Sequence, residues 1–246
     1  MVRYLCAFIV ALLVSAPQAG AADKIPAAVT AAVADAGRPD TDKQRDADRK
    51  PAEIVAFAGI KSGDKVVELM PGQGYFTRIF SKVVGDKGVV YALAAPPRPD
   101  GPGGPPPVAA LAADYKNIRV GTMGQGPLAP EPVDVVWTSL NYHDFHNRPN
   151  ADLLAFNKGV FNALKPGGTY IVIDHAAAKG AGTKDTSTLH RIDPDVVKTE
   201  VTAAGFVLDS QSDVLANPAD THAANVRDAS IRGKTDQFAF KFRKPK

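Results

Sequence analysis

The chain has a single cysteine, Cys6, in 246 residues. An intrachain disulfide is therefore excluded, and so is any zinc or iron–sulfur site built on cysteines. An excess of one charge is missing too. Against 26 Asp and Glu stand 29 Lys and Arg, a formal net charge of +3, which is too small for a dedicated nucleic-acid-binding surface. The N-terminal apolar run, Tyr4–Val14, is eleven residues long, whereas a membrane-crossing helix takes about 20. With 45% hydrophobic and 22% charged residues, the composition is that of an ordinary globular chain rather than a disordered or multi-span one.

What is present begins with a leader-like segment. Arg3 gives a positive start, the apolar run follows, and Ser15-Ala16-Pro17 leads to the small residues Ala19 and Ala21. Small residues at the third and first positions before the cut suit signal peptidase, so residues 1–21 are expected to be a signal peptide cleaved between Ala21 and Ala22. No twin-arginine pair precedes the run and no cysteine follows it, which favours the general secretory route over a lipid anchor. We expect an exported protein, periplasmic or extracellular, with no stable membrane anchor after cleavage.

Residues 22–50 are rich in alanine and then strongly charged. They are expected to form a short helix ended by Gly37 and Pro39, then a solvated arm. Residues 51–246 read as one domain. Lys65–Met70, Val89–Leu93, Asn117–Val120, Val133–Ser139, Thr169–Asp174, Phe206–Ser210 and Gln237–Phe242 have the apolar or alternating pattern of strands. Helices are expected from Pro51 to Gly59, over Tyr75–Val84 and Val108–Tyr115, from an Asn150 cap to Leu164, and from Asp193-Pro194 to Gly205. The alternation predicts a three-layer α/β fold, a doubly wound and mostly parallel seven-stranded sheet. Because no helix separates the last two strands, a C-terminal strand should run antiparallel. The proline- and glycine-dense segment 95–107 reads as a surface loop with polyproline character. Docking of a protein partner there would rest on composition alone.

The most informative stretch is Glu68-Leu69-Met70-Pro71-Gly72-Gln73-Gly74-Tyr75-Phe76-Thr77, where the first strand turns into a helix. Gly72 and Gly74 tolerate positive φ and let a ligand approach backbone that a Cβ would shield. The helix that follows offers free N–H groups. A dinucleotide fingerprint needs a third glycine where this chain has Thr77, which argues against pyrophosphate and so against an NAD(P)-dependent oxidoreductase. No Tyr-x-x-x-Lys pair is present to serve as a short-chain dehydrogenase acid. An acid at the strand end suits instead the cationic end of an amino-acid-like ligand. A tight turn without a ligand is the plain alternative.

Downstream, Leu164-Lys165-Pro166-Gly167-Gly168 precedes the strand TYIVID, and Gly205-Phe206 precedes the paired terminal strands. With Glu68–Gly74, these motifs resemble those of the class I S-adenosylmethionine-dependent methyltransferases, over about Pro51 to Lys244. M-P-G-Q-G-Y, N-Y-H-D and T-D-Q-F are similar, more narrowly, to a bacterial subgroup of often exported methyltransferases. The resemblance implies S-adenosyl-L-methionine as cofactor and a small molecule as methyl acceptor. It places Glu68 near the methionine amino group and Met70, Pro71, Gly72, Gln73, Gly74 and Tyr75 around the cofactor turn. Thr138, Ser139 and Asn141, after the fourth strand, would line the sulfonium and the substrate mouth. One departure stands out: the acid that usually binds the ribose after the second strand is missing from Tyr91-Ala92-Leu93-Ala94-Ala95.

Tyr142, His143 and Asp144 follow as candidate catalytic groups. Methyl transfer needs positioning and in some cases a base; His143 titrates near neutrality, and Asp144 would fix its tautomer or bind a cationic substrate. Alternatively, the two only cap the loop through backbone hydrogen bonds. His143 and His146 have H-x-x-H spacing, with Asp174-His175 after the fifth strand, but this matches no established metal-ligand pattern and no metal is expected. His190-Arg191 is a candidate anion clamp, a surface salt bridge being the simpler role. Trp137 reads as core or pocket floor, and His222 has no distinguishing context. A catalytically degenerate ligand- or protein-binding module is the main alternative to an enzyme.

Overall fold

The computed structural model describes residues 24–97 and 103–246. The leader expected over 1–21 and the centre of the 95–107 loop lie outside the described residues. Among those described, no helix is long and apolar enough to cross a membrane.

Four short helices come first: α1 (Ala27–Val33), α2 (Asp40–Lys43), α3 (Asp46–Arg49) and α4 (Pro51–Ala58). Pro51 occupies the first turn of α4, where its missing N–H costs nothing, and Gly59 ends it at φ 77°. Then follow β1 (Lys65–Leu69), α5 (Tyr75–Val84), β2 (Val89–Ala94), a 3₁₀ turn at Pro107–Ala110 leading into α6 (Leu111–Asp114), β3 (Ile118–Thr122) and β4 (Val133–Ser139). The second half comprises α7 (Tyr142–His146), α8 (Leu153–Ala163), β5 (Leu164–His175), α9 (Pro194–Ala203), β6 (Val207–Ser212) and β7 (Gln237–Arg243).

The seven strands form one sheet in the order β3-β2-β1-β4-β5-β7-β6. The pairs from β3 to β5 are parallel, and β7 runs antiparallel to both β5 and β6. This is the expected three-layer α/β architecture with its reversed C-terminal strand. Connections leave β1 toward β2 on one side and return to β4 on the other, so a crevice opens past the ends of β1 and β4.

Alternation along β1 divides the core. Val66 packs with α1, α4 and α5, whereas Val67 and Leu69 face the layer carrying α8 and α9. Glu68 shares the pleat face of Val66 and so points toward α5. There Phe76 and Phe80 stack at 5.7 Å and both meet Trp137, at 4.9 and 5.1 Å. On the opposite face Phe238, Phe240 and Phe242 lie together in the core, as their spacing predicts.

Two local expectations are corrected. Asn150 does not cap α8; Asp152 does, its side chain accepting from the Ala155 N–H. The N-terminal helix packs on the domain, and the charged run 38–50 after it is not a solvated arm. Val29 and Ala32 are buried against the core of the domain. Arg38 is only 2% exposed, because both its terminal nitrogens reach Asp46, at 2.8 and 2.6 Å, and one also donates to the Val33 carbonyl. Charge repeats in sequence gave no sign of these intramolecular partners.

Candidate functional site

The turn after β1 is wound left-handed at three positions: Met70 (φ 54°), Gly72 (φ 60°) and Gly74 (φ 83°). Glycine adopts this without strain, but Met70 pays roughly 1–2 kcal/mol. Across the crevice Leu140, just past β4, is also left-handed at φ 60°. Asn141 ties the two turns, its amide donating to the Ser139 carbonyl at 2.7 Å and the Met70 carbonyl at 3.3 Å. Strain of this kind concentrates where a structure holds backbone for a ligand.

These turns enclose a crevice of about 320 Å³. Of the residues expected to hold a cofactor, Glu68, Met70, Pro71, Gly72, Gln73, Tyr75, Ser139 and Asn141 line it. Gly74 and Thr138 do not. A Cβ on Gly74 would lie 2.3 Å from the Leu111 side chain, so this glycine serves packing, whereas one on Gly72 would meet nothing within 4 Å. Thr138 is fully buried within the sheet. Sequence reasoning missed Arg45, Arg49 and Phe76, which also line the crevice, while Trp137 does form part of its wall. Arg45 and Arg49 stand one helical turn apart; that spacing was the available signal, hidden inside a run of charge.

The crevice carries charge of both signs. Glu68 is buried, which pushes its pKa up to about 7 even though Thr77 donates to it and Arg49 and Arg78 lie nearby. The Arg49 guanidinium sits 4.7 Å from the centre of the Tyr75 ring. Burial, then repulsion from Arg45, lowers its pKa to about 10. The Arg49 guanidinium makes no ion pair or hydrogen bond among the described residues, in contrast to that of Arg38 on Asp46 and that of Arg78 on Asp42. Tyr75 is held by a 2.6 Å hydrogen bond to Asp46. The N-terminal helices thus close one side of the crevice.

None of Tyr142, His143 and Asp144 lines it. Tyr142 is fully buried and points away, donating to Glu200 at 2.9 Å and accepting from Asn157 at 2.8 Å. Its placement in a core network corrects the catalytic role expected for it. Burial first, then nearby Tyr170 and Glu200, raise its pKa, keeping it neutral.

His143 belongs to a second polar cluster. Its N–H donates to Asp174 at 2.7 Å and its Nδ1 lies 2.9 Å from the same carboxylate. The fully buried Asp174 also accepts from the His175 N–H at 2.8 Å, so it fixes the proton of His143 on Nδ1 and leaves Nε2 with its lone pair. Burial opposes charge on His143, but Asp174 and Asp144 outweigh it and the pKa is raised. His143 Nε2 lies 3.4 Å from Asp144. His190 completes the group, its ring 5.4 Å from that of His143. His175, driven down to about 4 by burial, bonds Thr235 through Nδ1 at 2.7 Å, so Asp174-His175 bridges the N-Y-H-D and T-D-Q-F motifs.

The other expected groups lie elsewhere. His146 pairs with Glu200 at 3.2 Å. Arg191 is not a clamp at the mouth; it is wholly buried and paired with Asp220 at 2.8 Å. His222 has a partner after all, Asp236 at 2.9 Å.

No family model and no curated protein sequence matches the chain. Solved structures do resemble it. A S-adenosylmethionine-dependent methyltransferase from Aquifex aeolicus shares 18% identity over 84% of this chain and 98% of its own, with a TM-score of 0.54. An arsenic(III) S-adenosylmethionine methyltransferase from Chlamydomonas reinhardtii matches 90% of this chain and 74% of its own at 17% identity, also at 0.54. The [4+2]-cyclase SpnF matches 82% of each chain at 17% identity, again at 0.54. The fold is therefore the Rossmann-like fold found in such methyltransferases, and SpnF is described by a different reaction.

Proposed function

We propose that the crevice binds S-adenosyl-L-methionine and that the protein transfers its methyl group to a small-molecule acceptor. The carrying observation is that Glu68 and the unpaired Arg49 face one cavity. A carboxylate and a guanidinium together form a receptor for an amino-acid zwitterion, with Glu68 taking the ammonium group and Arg49, backed by Arg45, the carboxylate. Gly72 leaves the turn open for close approach. The cofactor would supply an electrophilic methyl group on its sulfonium. On the acceptor side His143, oriented by Asp174, offers a lone pair that can take a proton. Low-identity likeness to methyltransferases supports the reading through the fold.

Calorimetry with S-adenosylhomocysteine and with 5′-methylthioadenosine, which lacks the amino-acid end, tests it. The first should bind at least about tenfold more tightly, the loss of one charge-assisted contact being about 1.5–3 kcal/mol. Equal affinities, or binding of NAD in place of either, would overturn the zwitterion site.

One observation favours a second reading, a ligand-binding module without transfer: His143 and Asp144 stand outside the crevice. Labelled methyl appearing in a small-molecule extract, and lost in Glu68→Gln, would decide for the enzyme. On the leader sequence alone we also propose export; intact mass of the protein recovered outside the cytoplasm should begin at Ala22.

A further inference from the structure

We propose that His143, Asp144 and His190 form a binding site for a divalent transition cation of the zinc class. One potential ligand atom from each lies within 4.8 Å of the other two. His143 Nε2 is 3.4 Å from Asp144 Oδ1, and His190 Nδ1 is 3.8 Å from the same oxygen. These separations are long for hydrogen bonds. They approach the edge of a tetrahedron, about 3.3 Å for ligands held about 2.0–2.1 Å from a central ion.

Three further features point the same way. His190 Nδ1 is buried and has no hydrogen-bond partner, a costly arrangement that an ion would relieve. Its backbone is left-handed at φ 56°, a region that few residues other than glycine occupy although histidine enters it more readily than most. On the far side of His143, Nδ1 is committed to the buried carboxylate of Asp174, the outer-shell contact that fixes a ligating imidazole and raises its basicity.

Two imidazoles and one carboxylate suit zinc or ferrous iron, and three protein ligands leave a coordination position open. Asp144, partly exposed, gives an ion a way in. Arg227 lies within Coulombic reach of both imidazoles and would select an anion for the open position. With an ion bound, His143 serves as a ligand and its Nε2 no longer takes a proton. The set differs from the H-x-x-H pairing readable in sequence, because His146 is turned to Glu200 while the distant His190 is brought in.

The site stands apart from the cofactor reading and is tested without it. Tag-free full-length protein, stripped with a chelator, is titrated with Zn²⁺ by calorimetry and with Co²⁺ by visible absorption. One Zn²⁺ per chain and the intense ligand-field bands of low-coordinate Co²⁺ are expected. Asp144→Asn and His190→Asn should abolish both signals; asparagine tolerates the left-handed backbone at 190. Asp174→Asn should weaken Zn²⁺ binding about 10–100-fold, and His146→Gln should leave it unchanged. Absence of stoichiometric binding, or parent-like binding in Asp144→Asn, overturns the site. If His190→Asn fails to fold, the part-exposed Asp144 decides alone. S-Adenosylhomocysteine binding, measured separately, reports on the crevice whatever the metal result.

Discussion

The hydroxyl of Thr77 donates to the carboxylate of Glu68 across 2.5 Å. Thr77 occupies the position at which a dinucleotide fingerprint has its third glycine. The residue that argues against a pyrophosphate is therefore the one that anchors the buried acid, and the first turn of α5 is built around a carboxylate rather than around a phosphate.

That acid makes stability depend on pH. Burial lifts the Glu68 pKa from 4.5 to about 7, so between these values the folded protein keeps a proton that the unfolded chain has released. The resulting stabilisation is fully present below the unfolded value and is lost as pH rises through the folded one, up to about 3 kcal/mol. Glu68→Gln stays neutral and can still accept from Thr77. In the ligand-free state its melting temperature should exceed that of the parent by roughly 5–10 °C at about pH 8 and match it near pH 4. Parallel melting profiles across that range would show that the acid ionises without cost. In the parent alone, affinity for S-adenosylhomocysteine should increase as pH rises through 7, as Glu68 ionises.

The two glycines of the turn should separate by assay. Gly72→Ala adds a methyl group in open crevice space at φ 60°, costing about 1–2 kcal/mol in backbone strain but obstructing the ligand. Gly74→Ala must displace Leu111, which a new Cβ would approach to 2.3 Å, and should cost about 2–4 kcal/mol. We expect melting to show the larger loss for Gly74→Ala, and calorimetry with S-adenosylhomocysteine to show the larger loss for Gly72→Ala. The reverse order would place the ligand against the packed glycine.

Tyr142 should prove structural. Its hydroxyl bridges Asn157 and Glu200, so Tyr142→Phe leaves the buried Asn157 amide without that acceptor, at about 1–3 kcal/mol. Denaturant unfolding should report that loss while S-adenosylhomocysteine affinity stays at the parent value. A drop in affinity without loss of stability would return Tyr142 to the site.

The sheet was legible because periodicity and turn residues carry it: KVVEL, VDVVWTS and QFAFKFR each announce a strand, and the missing helix before β7 announces its reversal. The cofactor turn was legible because Gly72 and Gly74 have no side chains to explain otherwise. Their separate duties were not, since only packing reveals that Leu111 fills the space beside Gly74. Arg45 and Arg49 were hidden because a charged run reads as solvated until the chain folds back on Tyr75. His190 lies 47 residues beyond His143, and the left-handed turn that presents it has no glycine to mark it.

Arg49 separates charge recognition from packing. Its guanidinium has aromatic contacts with Tyr75 and Phe76 but no acceptor, and Arg45 repels it. Arg49→Met keeps much of the contact with the rings and removes a half-buried cation that has no hydrogen-bonded partner. The ligand-free protein should therefore melt within about 3 °C of the parent, the lost cation–π contact of about 0.5–2 kcal/mol being offset by relief of desolvation. Affinity for S-adenosylhomocysteine should fall about 10–100-fold, the worth of a charge-assisted hydrogen bond, whereas any weak binding of 5′-methylthioadenosine should not change. Arg49→Lys should recover part of the loss, because it restores the charge without the two-pronged geometry. Equal weakening of both ligands by Arg49→Met would mean that Arg49 shapes the crevice wall instead of reading a carboxylate.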